Sequence, residues 1–283
     1  MSFLWIERLW RFMYKTKFEK ILMKVQKPSR YTGNEFNSVH KEWEDKTSFA
    51  FCFPDVYEVG MSHLGMKILY HMMNEREDTV CERVFAPWVD MEEQMHKNGI
   101  PLLSLESWKP VSQFDLVGFT LQYEMSYSNI LNMLDLANIP LRSRERALTH
   151  PFVCAGGPCA YHAEPLADIV DFFILGEGEE VNNEVLDVYR KWKESGGERV
   201  EFLERIARIE GIYVPSFYDV TYHEDNTVQA VTPNRAGIPA KVKKRIIKDL
   251  DSVFIPEKLI VPFMEIVHDR IMLELFRGCI RGC

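Results

Sequence analysis

The 283-residue chain lacks both glycine signatures that commonly hold nucleotide phosphates. Neither G-x-x-x-x-G-K-S/T nor G-x-G-x-x-G occurs, which demotes a nucleotide-phosphate site and makes a flavin or nucleotide protein the weakest reading. No apolar run reaches the length of a bilayer crossing, so no transmembrane segment is expected. The opening MSFLWIERLWRF places Glu7 and Arg8 inside what would be a leader's apolar stretch, so it does not read as a secretory signal. Positive charge is outweighed, with 34 Lys and Arg against 42 Asp and Glu and a net charge of -8. That balance argues against a protein built to neutralise nucleic-acid phosphates, and points to small molecules or proteins as partners. Cysteine is sparse and scattered, at Cys52, Cys81, Cys154, Cys159, Cys279 and Cys283. A disulfide framework is excluded, the thiols are free for packing or metal, and a reducing cytoplasm is the expected compartment. Internal repeats and low-complexity segments are absent as well.

What the chain does have is enough apolar residue, 46%, for a large core, and more length than one core usually organises. Residues 3–22 set Ile6, Leu9, Trp10, Met13 and Ile21 at helical spacing, opposite a basic face of Arg8, Arg11, Lys15, Lys17 and Lys20. Docking on the protein itself or a partner is favoured over a membrane surface. A Pro- and Gly-punctuated lead-in follows. From residue 48 short apolar runs alternate with helical patterns: 48–53 (SFAFCF), 80–85, 102–105, 116–121 (LVGFTL), 152–155 and 172–175 (FFIL) read as strands. Segments 64–74, 91–97, 128–137 and 180–193 read as helices. Continuously apolar strands alternating with helices indicate a parallel sheet covered on both faces, a doubly wound α/β domain of flavodoxin-like or Rossmann-like type.

The expected organisation is 1–47 as N-terminal helix and lead-in, 48–195 as the α/β domain, 196–265 as a connecting helix and hairpin lobe, and 266–283 as the start of a further domain. Alternating segments at 213–222 and 241–247 suggest the hairpins.

Ligands of such sheets sit outside the carboxyl ends of the strands, where strand order reverses. The loops 54–65, 122–128, 156–164 and 176–179 therefore hold the candidate cofactor contacts. These are Gly60, Ser62, His63 and Gly65; Gln122 and Tyr123; Gly156, Gly157 and Pro158; and Gly176, Glu177 and Gly178. Glycines there let backbone approach a large flat ligand, although a plain turn explains any one of them equally well. His63 is placed to meet a cofactor's metal, yet a packed or hydrogen-bonded histidine is the commoner outcome. Cys52, Cys81, Cys154 and Cys159 read as packing thiols.

Cys279 and Cys283 differ. They close the run LELFRGCIRGC, whose apolar start reads as a strand, and each is preceded by a glycine that lets a loop wrap one compact inorganic centre. FRGCIRGC resembles the first two cysteines of the C-x3-C-x2-C motif of radical S-adenosylmethionine (radical SAM) enzymes. YEVGMSHLG (57–65), FDLVGFTLQYE (114–124), CAGGPCAYHAEPLAD (154–168) and ILGEGE (174–179), in that order, resemble the cobalamin-binding domain that precedes one radical SAM branch. The lead-in KPSRYTGNEFNSVHK resembles the same family's N-terminal region.

The resemblance implies a 4Fe-4S cluster held by three cysteines that cleaves S-adenosylmethionine to a 5′-deoxyadenosyl radical, with cobalamin commonly the methyl donor. Cys279 and Cys283 would be two of those ligands. The third falls three positions beyond Cys283, so the expectation is an N-terminal portion completed by a C-terminal barrel, with an electron donor as partner and the reaction on substrate open. The Asp-x-His-x-x-Gly signature of corrinoid methyltransferases is missing: around His63 its Asp and Gly places hold Met61 and Met66. A cobalt without a histidine beneath it is consistent with this, as is a domain that has lost cobalamin; the alternative function is a non-catalytic corrinoid- or cofactor-binding module of flavodoxin-like fold.

Overall fold

The apolar runs pair as parallel strands. In β1 (Thr47–Phe53) every residue is buried. Alternation sends Phe49, Phe51 and Phe53 to one core and Ala50 and Cys52 to the other, as the two-residue period of a strand requires. β2 (Thr79–Phe85), β3 (Leu116–Thr120), β4 (Phe152–Gly156) and β5 (Phe172–Ile174) complete the parallel set, and β6 (Ile212–Tyr213) adds an antiparallel edge. Strand order is β2-β1-β3-β4-β5-β6, so direction reverses between β1 and β3. The structure, a computed structural model, describes residues 15–281.

Helices cover both faces, and the fold is the doubly wound α/β type that the alternation of strands and helices predicts. The described helix 15–22 (α1), α4 (Val89–Asn98) and α5 (Tyr127–Leu136) bury one side, while α3 (Leu64–Glu75), α6 (Gly178–Ser195) and α7 (Arg199–Ile206) bury the other. A single helical turn, α2 (Tyr57–Gly60), lies between β1 and α3. α1 seats Phe18, Ile21 and Leu22 in the core, with the Phe18 ring 5.2 Å from that of Trp108, so this part of the amphipathic segment docks on its own protein. Residues 3–14 of that segment lie outside the described residues.

Several elements depart from expectation. The run 102–105 forms only an isolated bridge from Leu103 to Pro110, because Leu105 donates its N–H to Arg83 O (2.8 Å) beside the sheet edge instead of extending a ladder. α7 and β6 continue the layers beyond residue 195. The hairpin is β7 (Tyr218–Tyr222) with β8 (Val228–Pro233), while 241–247 contributes one parallel bridge, Arg245 to Gly176. The extended stretch 271–277 has no ladder partner among the described residues, so the strand expected there is bare chain. Its Ile271, Leu273, Leu275 and Phe276 are exposed.

Arg83, on edge strand β2, anchors the lead-in to the sheet. Its guanidinium pairs with Glu35 (2.7 Å) and Glu106 (2.6 Å), all three side chains at most 2% exposed, and Tyr57 Oη donates to Glu35 (2.7 Å). One arginine serves two carboxylates. Burial, with Glu82 nearby, pushes Glu106 up to about 7 from its ordinary 4.5 despite Arg83. Below pH 4.5 the proton stays on Glu106 in folded and unfolded chains alike, and the full contribution to stability is present. As pH rises, the unfolded chain releases that proton first, so this contribution falls between pH 4.5 and about 7. Urea titrations at pH 5 and pH 7.5 are expected to show a loss on the order of 2 kcal/mol that Glu106→Gln abolishes. An equal loss in that variant refutes the assignment.

The lead-in and the segment 259–268 are laced together. Phe36 bridges Val261, Asn37 donates to Leu259 O (2.9 Å), and Ile260 and Ile266 are buried against the α3/α6 face. The chain thus crosses the molecule as a strap before reaching Cys279.

Candidate functional site

Because β1 and β3–β5 run parallel, their following loops emerge at one end of the sheet, around the reversal of strand order between β1 and β3. After β1 the chain makes α2, and His63 caps α3. Its Nδ1 accepts the Met66 N–H at 3.0 Å. That bond leaves Nε2 as the protonated nitrogen of the neutral ring. Burial holds His63 below its ordinary value, opposed by a hydrogen bond with Gln122. His63 therefore offers no free lone pair, its Nδ1 being engaged as an acceptor.

The His63–Gln122 bond joins the loops after β1 and β3 across the switch point, and Gln122 is itself held by donating to Thr120 Oγ1 (2.7 Å). There Tyr123 Oη donates to Asp55 Oδ2 at 2.5 Å, and that bond pushes Tyr123 up to about 12. Asn129, on α5, donates to Pro54 O (2.9 Å) and holds the same junction. The loops after β3 and β4 are zipped by Leu121 N–H to Gly156 O (2.6 Å) and Cys159 N–H to Leu121 O (3.0 Å). Gly157, at φ 106°, has no room for a Cβ, which would lie 2.9 Å from Leu121 O. Beyond this frame, Tyr123, Met125 and Tyr161 are 41%, 86% and 53% exposed, an aromatic and thioether surface beside polar loops.

The structure thus brings Ser62, His63, Gly65, Gln122, Tyr123 and the 156–158 loop to one end of the sheet. Gly60 is set apart, since a Cβ there would come 2.3 Å from the Phe85 ring inside the core. The 176–179 loop is covered by the chain's own backbone: Arg245 donates to Leu175 O (2.8 Å), and Glu177 N–H donates to Arg245 O (3.1 Å). Gly176, at φ 105°, is where that backbone passes too close for any side chain. Glu177 accepts the Ile247 N–H and pairs with Arg277 (3.3 Å), which also pairs with Glu179 and Glu274. Next to this network opens a cleft of about 350 Å³ lined by Glu177, Lys248, Asp249, Asp251, Phe276 and Arg277. At the β1 loop, Ser62 Oγ accepts the His268 N–H (3.0 Å).

Cys279 is exposed; Cys283 lies outside the described residues. Cys52, Cys81, Cys154 and Cys159 are buried, and burial pushes the thiols of Cys52 and Cys81 well up, so they remain neutral packing groups. No group of three or more His, Cys, Asp or Glu side chains suited to a metal occurs among the described residues. Two participants escaped the sequence reading. Asp55 falls there within the 54–65 loop without being singled out, and Arg277 only within the cysteine motif.

Residues 65–215 match the family model described as radical SAM proteins, N-terminal. A stretch of 131 residues is 24% identical to an uncharacterized protein of Methanocaldococcus jannaschii, covering 46% of this chain and 24% of that protein. The matched region thus spans about a quarter of that relative's length. No solved structure matches.

Proposed function

The chain belongs to the radical SAM family, as its N-terminal part, and from that premise we propose that it carries a cobalamin at the carboxyl ends of β1, β3 and β4 and supplies cluster thiolates from Cys279 and Cys283. S-adenosylmethionine and an iron–sulfur cluster belong to the family in general. Cobalamin, the cysteine roles and methyl transfer are this reading's own.

One observation carries it. The strap joins the cysteine segment to the strand-end loops at two points, His268 to Ser62 and Arg277 to Glu177, which supports a reading in which the two cofactors would share one end of the sheet. The crevice also suits a broad ring bearing amide side chains. Tyr123 and Tyr161 offer flat apolar area, and His63 and Gln122 offer polar contacts. When bound, cobalamin supplies a methyl group and the cluster with S-adenosylmethionine supplies a 5′-deoxyadenosyl radical. This chain's residues bind and orient. His63 donates a hydrogen bond from Nε2, the Asp55–Tyr123 pair fixes the aromatic wall, and Gly278, at φ 89°, turns the backbone so that Cys279 faces outward. In this scheme residues 48–195, with α7 and β6, form the cobalamin body, and the segment from 266 onward belongs to the radical SAM domain.

Hydroxocobalamin mixed with the purified protein is expected to shift its absorption spectrum and co-elute on gel filtration. Tyr123→Ala should weaken binding about tenfold, the loss of one aromatic contact. His63→Ala should leave the bound cobalt's spectrum unchanged. Neither shift nor co-elution removes cobalamin from the scheme.

A further inference from the structure

We propose that the Gly-Glu-Gly-Glu loop at 176–179 is a receptor for the cysteine-bearing segment, seated by Arg277, and not a cofactor-binding loop. Three independent features converge there. Gly176 adopts a left-handed conformation so that the Arg245 backbone can lie on it, and Arg245 in turn is held by Glu180 and Glu184 of α6. Glu177 then receives the Ile247 N–H on one oxygen and Arg277 on the other. Arg277 spends its planar fork on Glu177, Glu179 and Glu274 together, a geometry that a lysine's single ammonium cannot reproduce.

The placement gives this network its purpose. Arg277 is separated from Cys279 only by Gly278, whose backbone is free to turn. Fixing Arg277 on the β5 loop, while His268 is fixed on the β1 loop, suspends residues 268–277 between two strand ends on the α3/α6 side of the crevice. Cys279 therefore leaves the sheet end from a defined point, although the apolar stretch before it has no ladder of its own. Arg277 is a positioning residue in this account. Its role does not depend on whether cobalamin is bound.

Trypsin reads the latch directly, because an arginine must leave its ion pairs to enter the protease pocket. Arg270, exposed on the same strap, is the internal standard. In the unmodified protein, cleavage after Arg277 is expected to be at least tenfold slower than after Arg270, and 0.5 M NaCl should narrow that ratio by screening. In the double variant Glu177→Gln, Glu179→Gln, cleavage after Arg277 should rise to the Arg270 rate and lose its salt dependence. Equal rates at both sites in the unmodified protein, or a double variant in which both sites accelerate together, would overturn the proposal. The salt series on the unmodified chain decides the matter even if the variant misfolds, and no cofactor enters either measurement.

Discussion

Replacing Arg83 with methionine is expected to lower the free energy of unfolding by about 3–5 kcal/mol, one of the largest single-residue effects in this chain. Methionine fills a similar volume, so little of the loss comes from a cavity. The cost lies in Glu35 and Glu106, which keep their burial but lose the guanidinium 2.7 Å and 2.6 Å away. Arg83 N–H also donates to Glu106 (2.8 Å), so that carboxylate retains one backbone donor and Glu35 retains Tyr57. Urea unfolding followed by far-UV circular dichroism should show a lower midpoint with an unchanged slope. Adding Glu35→Gln and Glu106→Gln to the variant should restore part of the loss, since neutral amides cost less to bury than unpaired charges. A single variant within 1 kcal/mol of the parent would mean that the triad opens to water.

Asp171→Ala should cost about 3–4 kcal/mol at the opposite end of the sheet. One oxygen of Asp171 accepts from Arg146 (2.9 Å), Arg199 (3.3 Å) and the Val153 N–H (2.7 Å). Arg146 is wholly buried, and without Asp171 its remaining partners are the Pro140 and Leu141 carbonyls, which carry no net charge. Arg199 is the first residue of α7, so this carboxylate joins that helix to the entry of β4. Hydrogen exchange at Val153 should accelerate in the variant along with the global loss, and Asp171→Asn should fall between the two. Unchanged exchange at Val153 would contradict the assigned role.

The sheet was legible because its strands are continuous apolar runs separated by helical patterns, and strands buried on both faces show no other signature. The loops that gather at the switch point followed from that sheet alone. Other parts were hidden for identifiable reasons. β6 is two residues long, too short for any periodicity. The Arg83 triad draws its carboxylates from 48 and 23 residues away, and TVCERVF shows two charges inside a strand without saying what neutralises them. At Gly176 the glycine correctly signals a close approach, but composition cannot name the visitor, which is the backbone of Arg245. LELF has the residues of a strand, and a strand exists only where a neighbouring chain supplies its ladder.

The lacing of the lead-in to the strap also orders events in time. Asn37 and Leu259, joined by one hydrogen bond, are 222 residues apart in the chain. During synthesis the parallel sheet has all its strands well before residue 259 emerges, whereas the strap contact closes one of the longest loops in the protein. The α/β body is then already assembled when Cys279 arrives. The exposed Cys279 reaches a platform that is finished before it.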